Sequence, residues 1–265
     1  EVLEVSDRVT VLRAGQNVTT RPTSQCDHRI LARLMVGQEL VFQPPHKAQV
    51  GGATVVVLQD AHAVSDRGLP ALIDVNLSVR EGEILGVAGV AGNGQSELAE
   101  VLTGLRPLQR GRMLVDGADL TNASPTRLTR AGVGHIPEDR LGTGLVRSAS
   151  VTHNAILREY RTPPISIGPR IVNSAARQFA RALVKEADVR VPSVRTPVRN
   201  LSGGNQQRLL AHRETRIASR FLVAVHPTRG LDVGATDELR RTLVEHRDRG
   251  SAVLLVSEDL DELLA

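Results

Sequence analysis

The octet Leu201-Ser202-Gly203-Gly204-Asn205-Gln206-Gln207-Arg208 is the first stretch whose residue types could do chemistry. A Ser followed by two glycines, opening onto a helical pattern at Leu209 and Leu210, makes a helix N-terminus with little side-chain cover. Such an end presents unpaired N–H groups and the positive end of the helix dipole, which together bind anions. Ser-Gly-Gly alone is no more than a Ser N-cap with a glycine turn. The whole octet is far more specific.

A second stretch, Gly89-Val90-Ala91-Gly92-Asn93-Gly94-Gln95-Ser96, joins an apolar strand pattern at 83–88 to an amphipathic helix pattern at 96–105. This is the setting of a phosphate-cradling loop: glycines let the backbone wrap an anion, and the Ser96 hydroxyl could reach a magnesium ion. The pattern wants Lys where this chain has Gln95. An amide still donates a hydrogen bond, but roughly 1.5–3 kcal/mol of charge-assisted bonding falls to about 1.

Around these loops the chain must supply a scaffold. Runs 54–58 and 73–79 (Ile73, Val75, Leu77 and Val79 apolar) read as strands, as does 112–115 before Asp116-Gly117. The helix at 96–105 would bury Leu98, Val101, Leu102 and Leu105 on one face. Phe221–Val225 and Ala252–Ser257 are apolar enough for strands buried on both faces, with a helix at 236–249 between them. The span 145–220 is more polar and mostly helical, with a proline-rich interruption at Pro163, Pro164 and Pro169. Together these predict an α/β fold: a mostly parallel sheet with an inserted helical subdomain. Ahead of it, 8–12 reads as a strand, Ala14-Gly15 as a turn, 27–36 as a helix starting at Asp27, and 44–52 as a linker.

At 265 residues the chain is long enough for a sizeable core. No apolar run reaches the roughly 18 residues of a membrane helix. One cysteine, Cys26, excludes an internal disulfide framework. The net charge of +4 comes from dispersed arginines among 29 acidic residues, and the four aromatics (Phe42, Tyr160, Phe179, Phe221) are not interleaved with them. A nucleic-acid partner is therefore not expected.

The octet, the glycine loop, His135-Ile136-Pro137-Glu138-Asp139-Arg140 and Val225-His226-Pro227-Thr228-Arg229-Gly230-Leu231-Asp232 resemble the motifs of ATP-binding cassette (ABC) ATPases of the P-loop type. The match is to the second, degenerate cassette of bacterial importers for simple sugars and nucleosides. The resemblance implies ATP at Gly89, Gly92, Asn93, Gly94, Gln95, Ser96 and Glu138, the last standing where the family has Gln. It implies Mg2+ at Ser96. Leu201, Ser202, Gly203, Gly204, Asn205 and Gln206 would be the signature offered to a partner cassette, with Leu231 and Asp232 in the dimer loop. Three further positions depart from the family: His226 replaces the catalytic Glu, Glu258 the switch His, and Val225 the magnesium-shell acid. No catalytic residue is therefore assigned, and hydrolysis at this loop is not expected.

The implied partners are a first cassette of the same polypeptide, integral membrane permease subunits and, indirectly, a solute-binding protein, at the cytoplasmic face of the membrane. On this reading residues 1–43 are the tail of the preceding cassette and 53–265 nearly all of the second. Two rivals remain: a non-catalytic scaffold, and a soluble cassette unconnected with transport, which would want intact loops and basic, aromatic-bearing insertions.

Overall fold

The computed structural model describes residues 2–13, 16–27, 30, 31, 34, 52–90, 92–259, 262 and 263. The N-terminal part holds α1 (Val2–Val5), β1 (Arg8–Arg13) and β2 (Gln16–Pro22). Then come β3 (Thr54–Val64), β4 (Pro70–Arg80), β5 (Ile84–Ala88), α2 (Gln95–Leu102), β6 (Arg110–Val115), β7 (Ala118–Asp119), α3 (Pro125–Arg130) and β8 (Val133–Ile136). The helical segment contributes α4 (Val151–Ala155), the short hairpin β9 (Ser166–Ile167) and β10 (Arg170–Ile171), α5 (Asn173–Glu186) and α6 (Gly203–Ile217). The chain continues through β11 (Phe221–Val225), α7 (Val233–Asp248) and β12 (Ala252–Ser257).

The parallel sheet has the order β5-β12-β11-β8. Every residue of β11 and β12 is buried, as their unbroken apolar runs require of strands covered on both faces. Side chains alternate across the sheet with a period of two. Phe221, Val223 and Val225 join the core beneath α2, whereas Leu222 and Ala224 join the core under α6 and α7.

A second sheet, antiparallel in the order β4-β3-β6-β7, closes the first of these cores. The sequence pattern shows β3, β4 and β6 but neither the two-residue β7 nor the pairing. Irregular pairing along β3 and β4, with Asp60 at φ 44° and Asp74 at φ 50°, breaks the strict alternation expected for 73–79. Ile73 is consequently 65% exposed. The helix predicted at 96–105 ends at Leu102, because Gly104 turns left-handed at φ 73°. Leu105 therefore lies outside the buried stripe, 53% exposed.

At the N-terminus the predicted strand is present as β1 and pairs with β2, an exposed strand with no apolar alternation to announce it. The predicted turn at Ala14-Gly15 lies outside the described residues, as does all of the 44–52 linker except Gly52. Asp27 does accept a hydrogen bond from the Ile30 N–H at 2.6 Å, as an N-cap would. Most of the remainder of the 27–36 helix falls outside the described residues.

Candidate functional site

The glycine loop leaves the end of β5, where Ala88 pairs with Ser257 of β12, and enters α2. Gly94 is the N-cap at φ 91°, and a Cβ there would lie 2.5 Å from the Ala71 carbonyl oxygen. Only glycine fits both constraints. No side chain caps α2, so its first N–H groups face the loop. Gln95 is almost fully buried, and its Nε2 donates to the Val90 carbonyl at 3.1 Å. A Cβ on Gly89 would sit 2.1 Å from that nitrogen, so the glycine makes room for the folded-back amide. Asn93 and Ser96 are exposed at the mouth. Glu97, which the sequence reading passed over, puts a carboxylate in the first turn of α2 and lowers the attraction for a second anion.

The backbone thus suits a phosphate chain. It does not suit magnesium, which takes six oxygen ligands in near-ideal octahedral geometry. Ser96 offers one hydroxyl, Val225 is a buried aliphatic residue, and no three His, Cys, Asp or Glu side chains converge among the described residues.

Beyond β11, His226 adopts φ 43°, uncommon for a residue with a Cβ, and its N–H donates to Val256 O at 2.8 Å. The turn after it is gripped from several sides. Gln207 Nε2 of α6 donates to Pro227 O at 2.7 Å, and Thr228 Oγ1 donates to Glu262 at 2.6 Å. Ser257 Oγ donates to the other oxygen of the Glu262 carboxylate at 2.5 Å. Arg140 Nη1 donates to Arg229 O at 3.2 Å, and the Arg229 guanidinium is ion-paired with Glu138. Glu138 therefore has a partner within the chain, and Glu258 is exposed past the end of β12.

Ser202 caps α6, its Oγ accepting from the Asn205 N–H at 3.4 Å and from Asn205 Nδ2 at 2.9 Å. Asn205 Oδ1 accepts from the Arg190 N–H, and the buried Gln206 amide donates to the carbonyls of Val198 and Leu201. The amides of the octet are thus used inside the chain. The glycines are not: a Cβ on Gly203 would meet nothing closer than Arg140 Nη2 at 3.8 Å, and one on Gly204 would touch Ala235 Cβ at an ordinary 3.5 Å. Leu231 packs against the core under α6, and Asp232 caps α7 by accepting from the Ala235 N–H at 2.9 Å.

A buried ionic network joins α6 to the strand and segment around it. Glu214, fully buried, pairs with Arg213 at 2.7 Å and Arg158 at 3.4 Å and accepts from the His135 N–H at 3.0 Å. Arg213 also donates to the carbonyls of Gly144 and Asn154. Burial pushes the His135 imidazole down to about 4, the Glu214 charge opposing the shift and Arg158 adding to it. His135 is neutral at physiological pH.

A glycine-loop cradle on a parallel sheet, a helical segment after β8 and a signature-type helix returning to that sheet define a nucleotide-binding cassette. Residues 72–228 match the ABC transporter family, and the chain belongs to that family. The chain is 45% identical to the glucose import ATP-binding protein TsgD13 of Haloferax volcanii, over its whole length and 48% of that relative. It is 41% identical to the guanosine import ATP-binding protein NupO of Bacillus subtilis, over 98% of the chain and 51% of the relative. It spans about half the length of these curated relatives. The crystal structure of a nucleotide-free ATP-binding cassette from an ABC transporter superposes with a TM-score of 0.66 at 20% identity, covering 80% of this chain and 84% of that one.

Proposed function

We propose that this chain is the degenerate second cassette of an importer ATPase for a simple sugar or nucleoside, and that it serves the catalytic site of a first cassette. Residues 53–265 form the cassette, residues 1–43 the tail of its predecessor, and the assembly works peripherally, at the cytoplasmic face, with integral permease subunits and a solute-binding protein. Support for an importer comes from the relatives, which are named for glucose, guanosine and nucleoside import.

One observation carries the division of labour. Gly203 and Gly204 have room for a side chain inside this chain and are nevertheless glycines, so the space they leave serves something approaching from outside. The natural occupant is the phosphate chain of ATP held on another cassette, met by the N–H groups and dipole of α6. This chain's own loop carries a neutral Gln95 folded onto Val90, and β11 ends at Val225 and is followed by His226, with no carboxylate at either position to hold magnesium or orient water. ATP there binds through backbone N–H groups. Mg2+ belongs at the partner's loop, not at Ser96.

The test uses the full-length polypeptide with its permease. Gly204→Trp abolishes ATP turnover, whereas Gln95→Ala leaves most of it. Equal losses in the two variants would defeat the assignment, as would steady hydrolysis by this chain alone.

A further inference from the structure

We infer that Arg140 is a further phosphate-contacting residue, acting beside Ser202, Gly203 and Gly204 on the nucleotide of the partner cassette. The inference rests on the reading above and adds a side chain to it.

Arg140 is partly buried and anchored at one edge, where Nη1 donates to the Arg229 carbonyl at 3.2 Å. Its other nitrogen, Nη2, lies 3.8 Å from the place of a Cβ on Gly203 and 3.6 Å from that of a Cβ on Gly230. The guanidinium is thus wedged between the start of α6 and the loop leading to α7. It makes no ion pair among the described residues. The acids next to it in sequence are occupied: Glu138 holds Arg229, and Asp139 accepts from the Leu141 and Gly142 N–H groups at 3.1 and 2.9 Å.

The placement is electrostatically unfavourable as it stands. Helix N-termini carry partial positive charge and favour anions, while cations belong at the C-terminal end. Here an arginine without a carboxylate is held against the N-terminus of a 15-residue helix. An anion entering between them satisfies both positive groups at once. The guanidinium fork matches phosphate oxygens, and the two glycines keep the approach open. Gln95 takes the cation out of this chain's own loop, and Arg140 supplies one where the partner's nucleotide arrives.

The experiment compares full-length protein, with its permease, carrying Arg140→Ala, Arg140→Lys or Gly204→Trp. Expected for Arg140→Ala is a KM for MgATP, and an inhibition constant for vanadate as phosphate mimic, raised together by about tenfold to a hundredfold. Arg140→Lys recovers part of both, and added guanidinium ion recovers part of both in Arg140→Ala. Unchanged constants in Arg140→Ala would overturn the assignment. So would a rise that neither Lys nor guanidinium reverses, since that marks a scaffolding role. If Gly204→Trp is inactive and Arg140→Ala behaves as wild type, only the Arg140 assignment fails. Turnover surviving in Gly204→Trp would instead remove the underlying reading, and this inference with it.

Discussion

Gln207 Nε2 lies 2.7 Å from the Pro227 carbonyl oxygen, so the helix that begins at Ser202 also fixes the turn that ends β11. The start of α6 and the end of β11 are thereby one mechanical unit, joined by a side chain only 2% exposed. Replacing Gln207 with Leu, of similar size, strands the carbonyl without a donor. It also removes the buried Gln207 Oε1, which has no hydrogen-bond partner among the described residues, so part of the cost is offset. The expected cost is about 1–3 kcal/mol, the price of an unpaired buried acceptor. A lowered urea midpoint with unchanged m-value checks it, and an unaltered midpoint would show that the bond contributes nothing.

The loop at 89–96 should respond to charge. Gln95→Lys places an ammonium against Val90 O, where a phosphate chain would also meet it. Affinity for a fluorescent ATP analogue is expected to rise about tenfold or more, the difference between neutral and charge-assisted bonds. Turnover is not expected, because Val225 and His226 remain. A variant that binds no better than the parent would mean that this loop is not where the phosphates lie.

Glu214 is the centre of a buried cluster whose loss exposes its weakness. Without the carboxylate, Arg213 and Arg158 lose their common counter-ion and the His135 N–H loses its acceptor. Glu214→Ala should cost about 3–5 kcal/mol, as breaking one side of a buried ion pair does. Glu214→Gln, which keeps an acceptor oxygen, should cost less. Melting temperatures of the two variants test the order.

Much of this was legible in the residues. β11 and β12 stand out because a strand covered on both faces needs an unbroken apolar run, and the two glycine motifs stand out because only glycine gives the backbone that access. The antiparallel sheet was only half visible: the β-branched run at 54–58 and the alternation at 73–79 mark strands but cannot say which pairs with which. Bulges near Asp60 and Asp74 then turned Ile73 outward, and the Gly104 turn did the same to Leu105. Long-range contacts left no local trace. Nothing in the order of residues brings Arg140 to Gly203 or Gln207 to Pro227, and Glu97 looked like an ordinary helix residue.

Stability should fall in mild acid, and the sign follows from the histidines. Burial lowers the imidazoles of His135, His212 and His246, His135 to about 4 from an ordinary 6.5. As pH falls from 6.5 toward 4 the unfolded chain takes up protons that the folded chain refuses. Stability is therefore fully present above 6.5 and is lost through that window. For His135 the drop from 6.5 to about 4 sets an upper bound of about 3 kcal/mol. Burial raises the Glu159 carboxyl, which works in the opposite direction above 4.5, so a wild-type curve mixes the two. His135→Gln separates them, because it keeps a polar side chain and removes the titration. Urea midpoints at pH 7.5, 6 and 5 should fall less steeply in that variant than in the wild type. Parallel curves would mean that His135 is not among the groups being titrated.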